Sequence, residues 1–254
     1  MVMSVWVPKQ YGAWAMLVAP VLTGAILGGF GWGPFALAVA WIAAYLAYMA
    51  GRGALAGRHG RQSAAAVAAY GGLTLTLVVG LLVWRAALLW WAIPLAVLLG
   101  ISLAMVVARR ERSTLNDAAL IGASALMCAV VATSARLTPT VTWSDFAHGV
   151  AWPTAWLATA VLAGYFWGTI PYVKTMIRER RKPGWYAASV AYHAVLIVPA
   201  CLVNWWIAGF AVLAAARAAL VPKLWPQAKP RHIGAAEVVA TVALVAILAV
   251  TLPR

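Results

Sequence analysis

The sequence predicts an all-α, polytopic membrane helical bundle of about nine transmembrane helices. Three observations predict it: the composition, the length of the apolar runs and the placement of the cations. Of 254 residues, 65% are hydrophobic and only 9% are charged, whereas a soluble domain carries about 25% charged residues. Folding in water would leave too little polar surface, so lipid is the solvent that fits. The length suits one transmembrane domain over 1–254 with no soluble appendage.

A spanning helix needs about 20 apolar residues. Runs of that length fall at 12–30, 34–50, 64–84, 88–107, 117–135, 150–170, 185–203, 205–221 and 235–252. The run after Lys9 is long enough to span, so it reads as a retained first helix rather than a cleaved signal. Gly31-Trp32-Gly33-Pro34, Gly51-Arg52-Gly53, Arg85 and the Arg109–Thr114 segment separate the first five runs. Later breaks are expected over 136–149, over 171–184, which opens with Pro171, and over 222–234 with its three prolines. Residues 185–221 form one long apolar stretch. A helix of that length would be about 55 Å long, against about 30 Å of hydrocarbon. A hairpin near Asn204 is therefore expected, with one broken helix as the alternative.

The cations orient this bundle. With the N-terminus inside, Lys9 and the cations of 52–61, 109–112, 174–182 and 217–231 total sixteen Lys and Arg on the cytoplasmic side. Arg85, Arg136 and Arg254 are left outside. This bias follows the positive-inside rule and places the C-terminus out. It also accounts for the net charge of +14 without nucleic acid. The expected location is the bacterial inner membrane, with lipid as the surrounding partner. Trp6, Trp14, Trp32, Trp84, Trp90, Trp91, Trp152, Trp185 and Trp225 fall near the ends of runs and read as an interfacial belt. Cys128 and Cys201 sit in apolar runs at no metal or redox spacing and read as buried apolar residues.

Chemistry-bearing residues are few. The acids are Glu111, Asp117, Asp145, Glu179 and Glu237, and no metal, hydrolase or phosphate-loop motif is present. No metal and no cofactor are therefore expected. Lys9, in Pro8-Lys9-Gln10-Tyr11-Gly12-Ala13-Trp14, is an interfacial anchor or a ligand contact. Asn116-Asp117 either caps a helix or sets a carboxylate against Arg109, Arg110 or Arg112. Tyr172 to Lys182 is the densest polar cluster. If helical, it puts Lys174 and Arg178 on one face and turns Glu179 towards Lys182. With Arg52, Arg58 and Arg180, these cations could cradle an anion, or simply anchor the bundle against anionic headgroups. His193, beside Tyr192, lies within a span, where ionisable groups are functional candidates or neutral interhelical bonds. Arg217 reads as a snorkelling cation. Glu237 suits a helix N-terminus and could pair with Arg231 or His232.

The PKQYGAW segment, the YVKTMIRER run at 172–180 and the Tyr192-His193 pair resemble the YwiC-like family of bacterial membrane proteins. The resemblance covers most of the chain and implies a membrane architecture rather than a particular reaction. Where a histidine is expected in the opening motif the chain has Tyr11, which weakens any role that needs a proton carrier there. The layout also resembles UbiA-type prenyltransferases, which implies nine helices and functional cytoplasmic loops at 51–63 and 171–184. Those enzymes hold magnesium and a prenyl diphosphate on aspartate-rich loops. Here 51–63 has no acid and 171–184 only Glu179, so that chemistry is not expected.

Three functions follow as expectations. The first is a basic cytoplasmic-side cavity for an anionic or isoprenoid-like ligand, with Arg52, Arg58, Lys174, Arg178 and Arg180 as contacts. Asp117, Tyr172 and His193 are its polar or catalytic candidates. The second is a small-molecule transporter. The third is a non-catalytic assembly subunit, for which Ala64-Ala65-Ala66 and Ala214-Ala215-Ala216 would pack closely. The orientation has a direct check. A cysteine replacing Gly57 should react with a membrane-impermeant maleimide only after permeabilisation, and one replacing Pro139 should react in intact spheroplasts. The reverse pattern would invert the bundle.

Overall fold

The computed structural model describes residues 6, 11–55, 60–180 and 182–253, with Tyr11, Gly12, Leu55, Gly60, Arg61 and Arg178 described by backbone alone. Among the described residues every regular element is helical. The helices are α1 (Tyr11–Gly28), α2 (Trp32–Leu55), α3 (Gly60–Trp84), α4 (Leu89–Val107), α5 (Thr114–Thr133), α6 (Trp143–Val150), α7 (Pro153–Val173), α8 (Pro183–Val203), α9 (Trp205–Leu224) and α10 (Pro230–Thr251). Seven are long and apolar enough to cross a membrane, namely α2 to α5 and α8 to α10. The chain is a multi-pass membrane helical bundle.

The other two expected spans, α1 and α7, line the interior. The apolar part of α1, Ala13–Gly28, is shorter, and α7 carries Thr, Tyr and Trp along its length. A helix enclosed by others need not be apolar all round. The break near Gly31 is present, since α1 ends at Gly28 and α2 starts at Trp32, but three other breaks expected at Gly or Pro are displaced. α2 runs through Gly51-Arg52-Gly53 to Leu55, α7 runs through Pro171, and α9 runs through Pro222. Membrane helices tolerate such residues because neighbouring groups re-satisfy the freed carbonyls.

The hairpin at Asn204 is present. Asn204 is extended, and its side-chain oxygen accepts from the Ile207 amide at 2.9 Å, starting α9 where α8 stops. The two helices lie side by side, since the Tyr186 hydroxyl near the start of α8 reaches the Ala219 carbonyl near the end of α9 at 2.9 Å. Asn204 Nδ2 also donates to Thr251 Oγ1 at 3.3 Å, tying the hairpin tip to the end of α10.

The bundle is organised around α5. Of its spanning stretch 67% is buried, against 11% for α3. α1 packs on α5 backbone to backbone. A Cβ built on Gly24 would lie 2.5 Å from the Cys128 carbonyl oxygen, and one on Gly28 only 2.2 Å from that of Ala132. Those are distances that real Cβ atoms do not reach, so only glycine fits. Gly24 and Gly28 stand at the small-xxx-small spacing of close membrane helix pairs. The Ser124 hydroxyl of α5 donates to the Met16 carbonyl of α1. Cys128 is buried at this seam, whereas Cys201 faces outward, contrary to expectation.

At one end, the short helix α6 packs beside the end of α5 and the turn that precedes α4. Thr142 caps it, and Trp143 and Phe146 pack on Trp90 and Trp91. Hydrogen bonds from Thr140 and Thr142 hold the exposed Asp145 carboxyl below the usual range. Arg136 stacks on Trp152 at 3.9 Å in the same layer.

The α1–α5 seam predicts its own sensitivity. Gly28→Ala should destabilise the protein by about 1–3 kcal/mol, as overpacking does. Gly71→Ala, where a Cβ meets nothing within 4 Å, should be neutral or slightly stabilising. Thermal melting in detergent measures both.

Candidate functional site

Among the described residues two polar clusters hold most of the interior charge. The first joins the basic ends of α2 and α7 to the segment before and at the start of α5. Arg52, near the end of α2, forms a short ion pair with Glu111. The Glu111 carbonyl accepts from Asn116 Nδ2 at 2.8 Å, and Asn116 Oδ1 accepts from Ser102 at 2.7 Å. Ser102 in turn bonds Tyr48 at 2.6 Å, and the Arg52 guanidinium sits over the Tyr48 ring at 5.7 Å. The circuit closes on itself through α2, α4 and α5. Ser113, not Asn116 or Asp117, caps α5, because its hydroxyl accepts from the Asn116 amide at 3.2 Å. Asp117 is thus free to reach Lys174 Nζ at 3.2 Å rather than Arg109, Arg110 or Arg112. Lys174 also covers the Trp185 ring at 4.7 Å.

The 174–178 stretch is a single π turn, in which the Glu179 amide donates to the Lys174 carbonyl at 2.7 Å. The expected pairing of Lys174 and Arg178 on one α-helical face therefore does not apply, since a π turn shifts the register. Glu179 does pair with Lys182, at 2.8 Å. Arg180 is held by backbone carbonyls, that of Met176 through Nε and that of Ala228 through Nη2 at 2.7 Å. Lys9 and Arg58 lie outside the described residues, and so does the side chain of Arg178. Each candidate anion contact whose side chain is described, Arg52, Lys174 and Arg180, is already engaged within the chain.

The second cluster lies deeper, among α7, α8, α9 and α10. Arg217 Nη1 lies 2.7 Å from Glu237 Oε1, and the Tyr165 hydroxyl donates to Glu237 Oε2 at 3.0 Å. The Arg217 guanidinium sits over the Tyr172 ring at 4.4 Å. Glu237 therefore pairs with Arg217 of α9, not with Arg231 or His232, which bond each other at 3.1 Å. Arg217 does not snorkel; it is turned into the protein. His193 is 3% exposed, and its Nδ1 is 2.8 Å from the Ser189 carbonyl. A carbonyl only accepts, so Nδ1 carries a proton, and in the neutral ring Nε2 is then the acceptor. Gly168 makes room for this ring, since a Cβ there would lie 3.0 Å from Nε2. The neighbouring Tyr192 hydroxyl donates to the Gly164 carbonyl of α7 at 2.9 Å.

Beside this cluster is a cleft of about 220 Å³. Its walls are apolar residues of α7 to α10, among them Leu157, Val161, Leu196, Val203, Ile207, Phe210 and Leu244. Tyr165 and His193 are the two polar residues in its wall. The three polar candidates named from sequence thus divide. Tyr172 and His193 flank the deep cluster, whereas Asp117 belongs to the shallow one. Sequence reading missed Tyr165 and Ser189 altogether. It also missed the meaning of Arg217 and Glu237, although both stand seven residues from the turn that joins α9, ending at Leu224, to α10, starting at Pro230. Positions equidistant from the turn of a helical hairpin are where partners meet.

The ion pair makes a quantitative prediction. Removing one partner of a buried pair costs about 3–5 kcal/mol, because the other charge is left unpaired. Arg217→Met and Glu237→Leu should each destabilise by about that much, and the double variant by less than either. Unfolding in mixed micelles with rising dodecyl sulfate fraction measures all three.

Residues 7–132 match the family model described as YwiC-like protein. Over 212 residues the chain is 29% identical to the uncharacterized protein YwiC of Bacillus subtilis (strain 168), covering 84% of this chain and 82% of that protein. No solved structure matches the chain. The chain thus resembles YwiC-like proteins, through its N-terminal half by the family model and over most of its length by the Bacillus relative.

Proposed function

We propose that the protein is a bacterial inner-membrane protein with a cytoplasmic N-terminus that binds a lipid-like ligand within the bilayer. The ligand's chain occupies the cleft between α7, α8, α9 and α10. The observation that carries this reading is the chemistry of the cleft wall: hydrocarbon along its length, with a tyrosine and a histidine at the edge of a buried polar cluster. Sites for small molecules combine these features, a mostly apolar concavity with a few convergent polar groups. Because Arg52, Lys174 and Arg180 are engaged within the chain, the lipid-like character of the ligand is better supported than a cradle of these cations for an anion. The reading rests on this cleft rather than on likeness to UbiA-type prenyltransferases. Chemistry on the ligand would fall to Tyr172 and His193 at the polar end, with Asp117 orienting Lys174.

A transporter is the second reading, favoured by one observation, the Arg217–Glu237 pair at a depth of about 10 Å along its helices. Ionisable residues at such depth often line substrate or proton paths. A proteoliposome flux assay with small anions tests it, and sealed, inert vesicles would count against it.

The lipid reading is tested with a photoreactive diazirine-bearing isoprenoid hydrocarbon in phosphatidylglycerol vesicles. Labelling should map to 157–165 and 196–214. Ala211→Phe, which fills the cleft, should reduce labelling about tenfold, since overpacking costs about 1–3 kcal/mol and 1.4 kcal/mol is tenfold. Ala69→Phe, on the outward face of α3, should leave it unchanged. Labelling spread evenly over lipid-facing helices in every variant would end the proposal.

A further inference from the structure

The polar end of the cleft is unfinished as a hydrogen-bonding site. Buried polar groups in folded proteins are almost always bonded, so each exception calls for an explanation. Among the described residues nine buried side-chain polar atoms have no hydrogen-bond partner, and six of them belong to Ser189, His193, Arg217 and Glu237. They are Ser189 Oγ, His193 Nε2, the three guanidinium nitrogens of Arg217 and Glu237 Oε1. The 2.7 Å contact of Arg217 with Glu237 is thus ionic rather than an aligned hydrogen bond.

These residues continue the cleft walls. Arg217 stands one turn beyond Ala214 on α9, Glu237 two turns before Leu244 on α10, and Ser189 one turn before His193 on α8. Each helix lines the cleft with hydrocarbon and then presents a polar group at the same end. That is the outline of a site for an amphiphile, with its head among the orphaned atoms.

The charges choose the head. The groups facing this end are Tyr165 and Tyr172 from α7, Ser189 and neutral His193 from α8, Arg217 from α9, and Glu237 with Thr241 from α10. Their formal charges cancel. The next cation along α7, Lys174, is held by Asp117. A phosphate or carboxylate would therefore enter as an uncompensated charge at membrane depth, which is costly. An uncharged oxygen would instead accept from the guanidinium, and its proton, where present, would go to His193 Nε2 or Glu237 Oε1. We infer that the cleft selects an amphiphile with a neutral hydroxyl or carbonyl head, bound by Arg217, His193 and Ser189. This rests on the lipid-binding reading above and adds the class of ligand.

The test uses three photoreactive probes of one isoprenoid chain, ending in an alcohol, a phosphate monoester or plain hydrocarbon, with the full-length protein in vesicles. The alcohol should label the cleft about tenfold more than either other probe, the yield expected for 1.4 kcal/mol of preference. Ser189→Ala and His193→Phe should bring the alcohol down towards the hydrocarbon while hydrocarbon labelling persists. His193→Gln, which keeps a side-chain acceptor, should recover part of the preference. Phosphate labelling equal to or above that of the alcohol would overturn the inference. So would a preference for the alcohol untouched by both substitutions. Cleft labelling by all three probes alike would overturn it too, yet leave the lipid-binding reading standing. Failure of every probe, hydrocarbon included, would remove that reading itself.

Discussion

The backbone contact between α1 and α5 is the constraint on which the rest of the bundle depends. Without a hydrophobic force to drive helices together in lipid, close packing and interhelical hydrogen bonds must do it. Gly24 and Gly28 let α1 reach the carbonyls of Cys128 and Ala132. α5 is thereby enclosed, with α1 on one side and α4 and α7 on others. α7 then carries Gly168, which admits Tyr192 and His193 of α8, and Gly164, whose carbonyl accepts from the Tyr192 hydroxyl. Glycine thus makes room twice in succession, for backbone at the centre and for side chains at the wall of the cleft. The cleft's position follows from how far α7 is held from α9 and α10 once these two seams are fixed.

Interior charge follows a consistent rule. Of the five acids, Glu111, Asp117, Glu179 and Glu237 each answer a cation, whereas Asp145 sits on the exposed α6 and accepts from a threonine. Three of those four pairs join residues far apart in the chain, so the scarce acids serve as interhelical ties. The shallow pairs tie α2 and the end of α7 to the start of α5. The deep pair ties α9 to α10 and borders the cleft. A protein with so few carboxylates that commits one to membrane depth, beside unbonded donors, has a polar interior that its own chain does not complete.

Much of the fold was legible in the sequence because membrane helices obey a length rule that needs no tertiary information. The hairpin at Asn204 could be read for that reason, together with asparagine's ability to cap. The ends of α2, α7 and α9 could not, because glycine and proline lose their meaning as breaks when neighbouring helices supply the missing bonds. Asp117 was recognised as a candidate, but its partner was not, because Lys174 reaches it from another helix through a π turn invisible to periodicity. The Gly24-xxx-Gly28 spacing stands in the sequence as plainly as the alanine runs. Of those, Ala66 is fully buried, while Ala64, Ala65 and Ala216 face outward. The deep cluster stayed hidden because its members come from four helices and each alone has an ordinary explanation.

The π turn at 174–178 gives the end of α7 one residue more than an α-helix of the same height would use. Lys174 can face Asp117 while Arg180, beyond the turn, faces the carbonyl of Ala228, because the extra residue rotates one part of the helix against the other. The length of this stretch therefore acts as a gear between two halves of the bundle. Losing a single residue here would leave every side chain chemically intact and yet mesh the wrong faces, so the stretch should tolerate substitution far better than deletion.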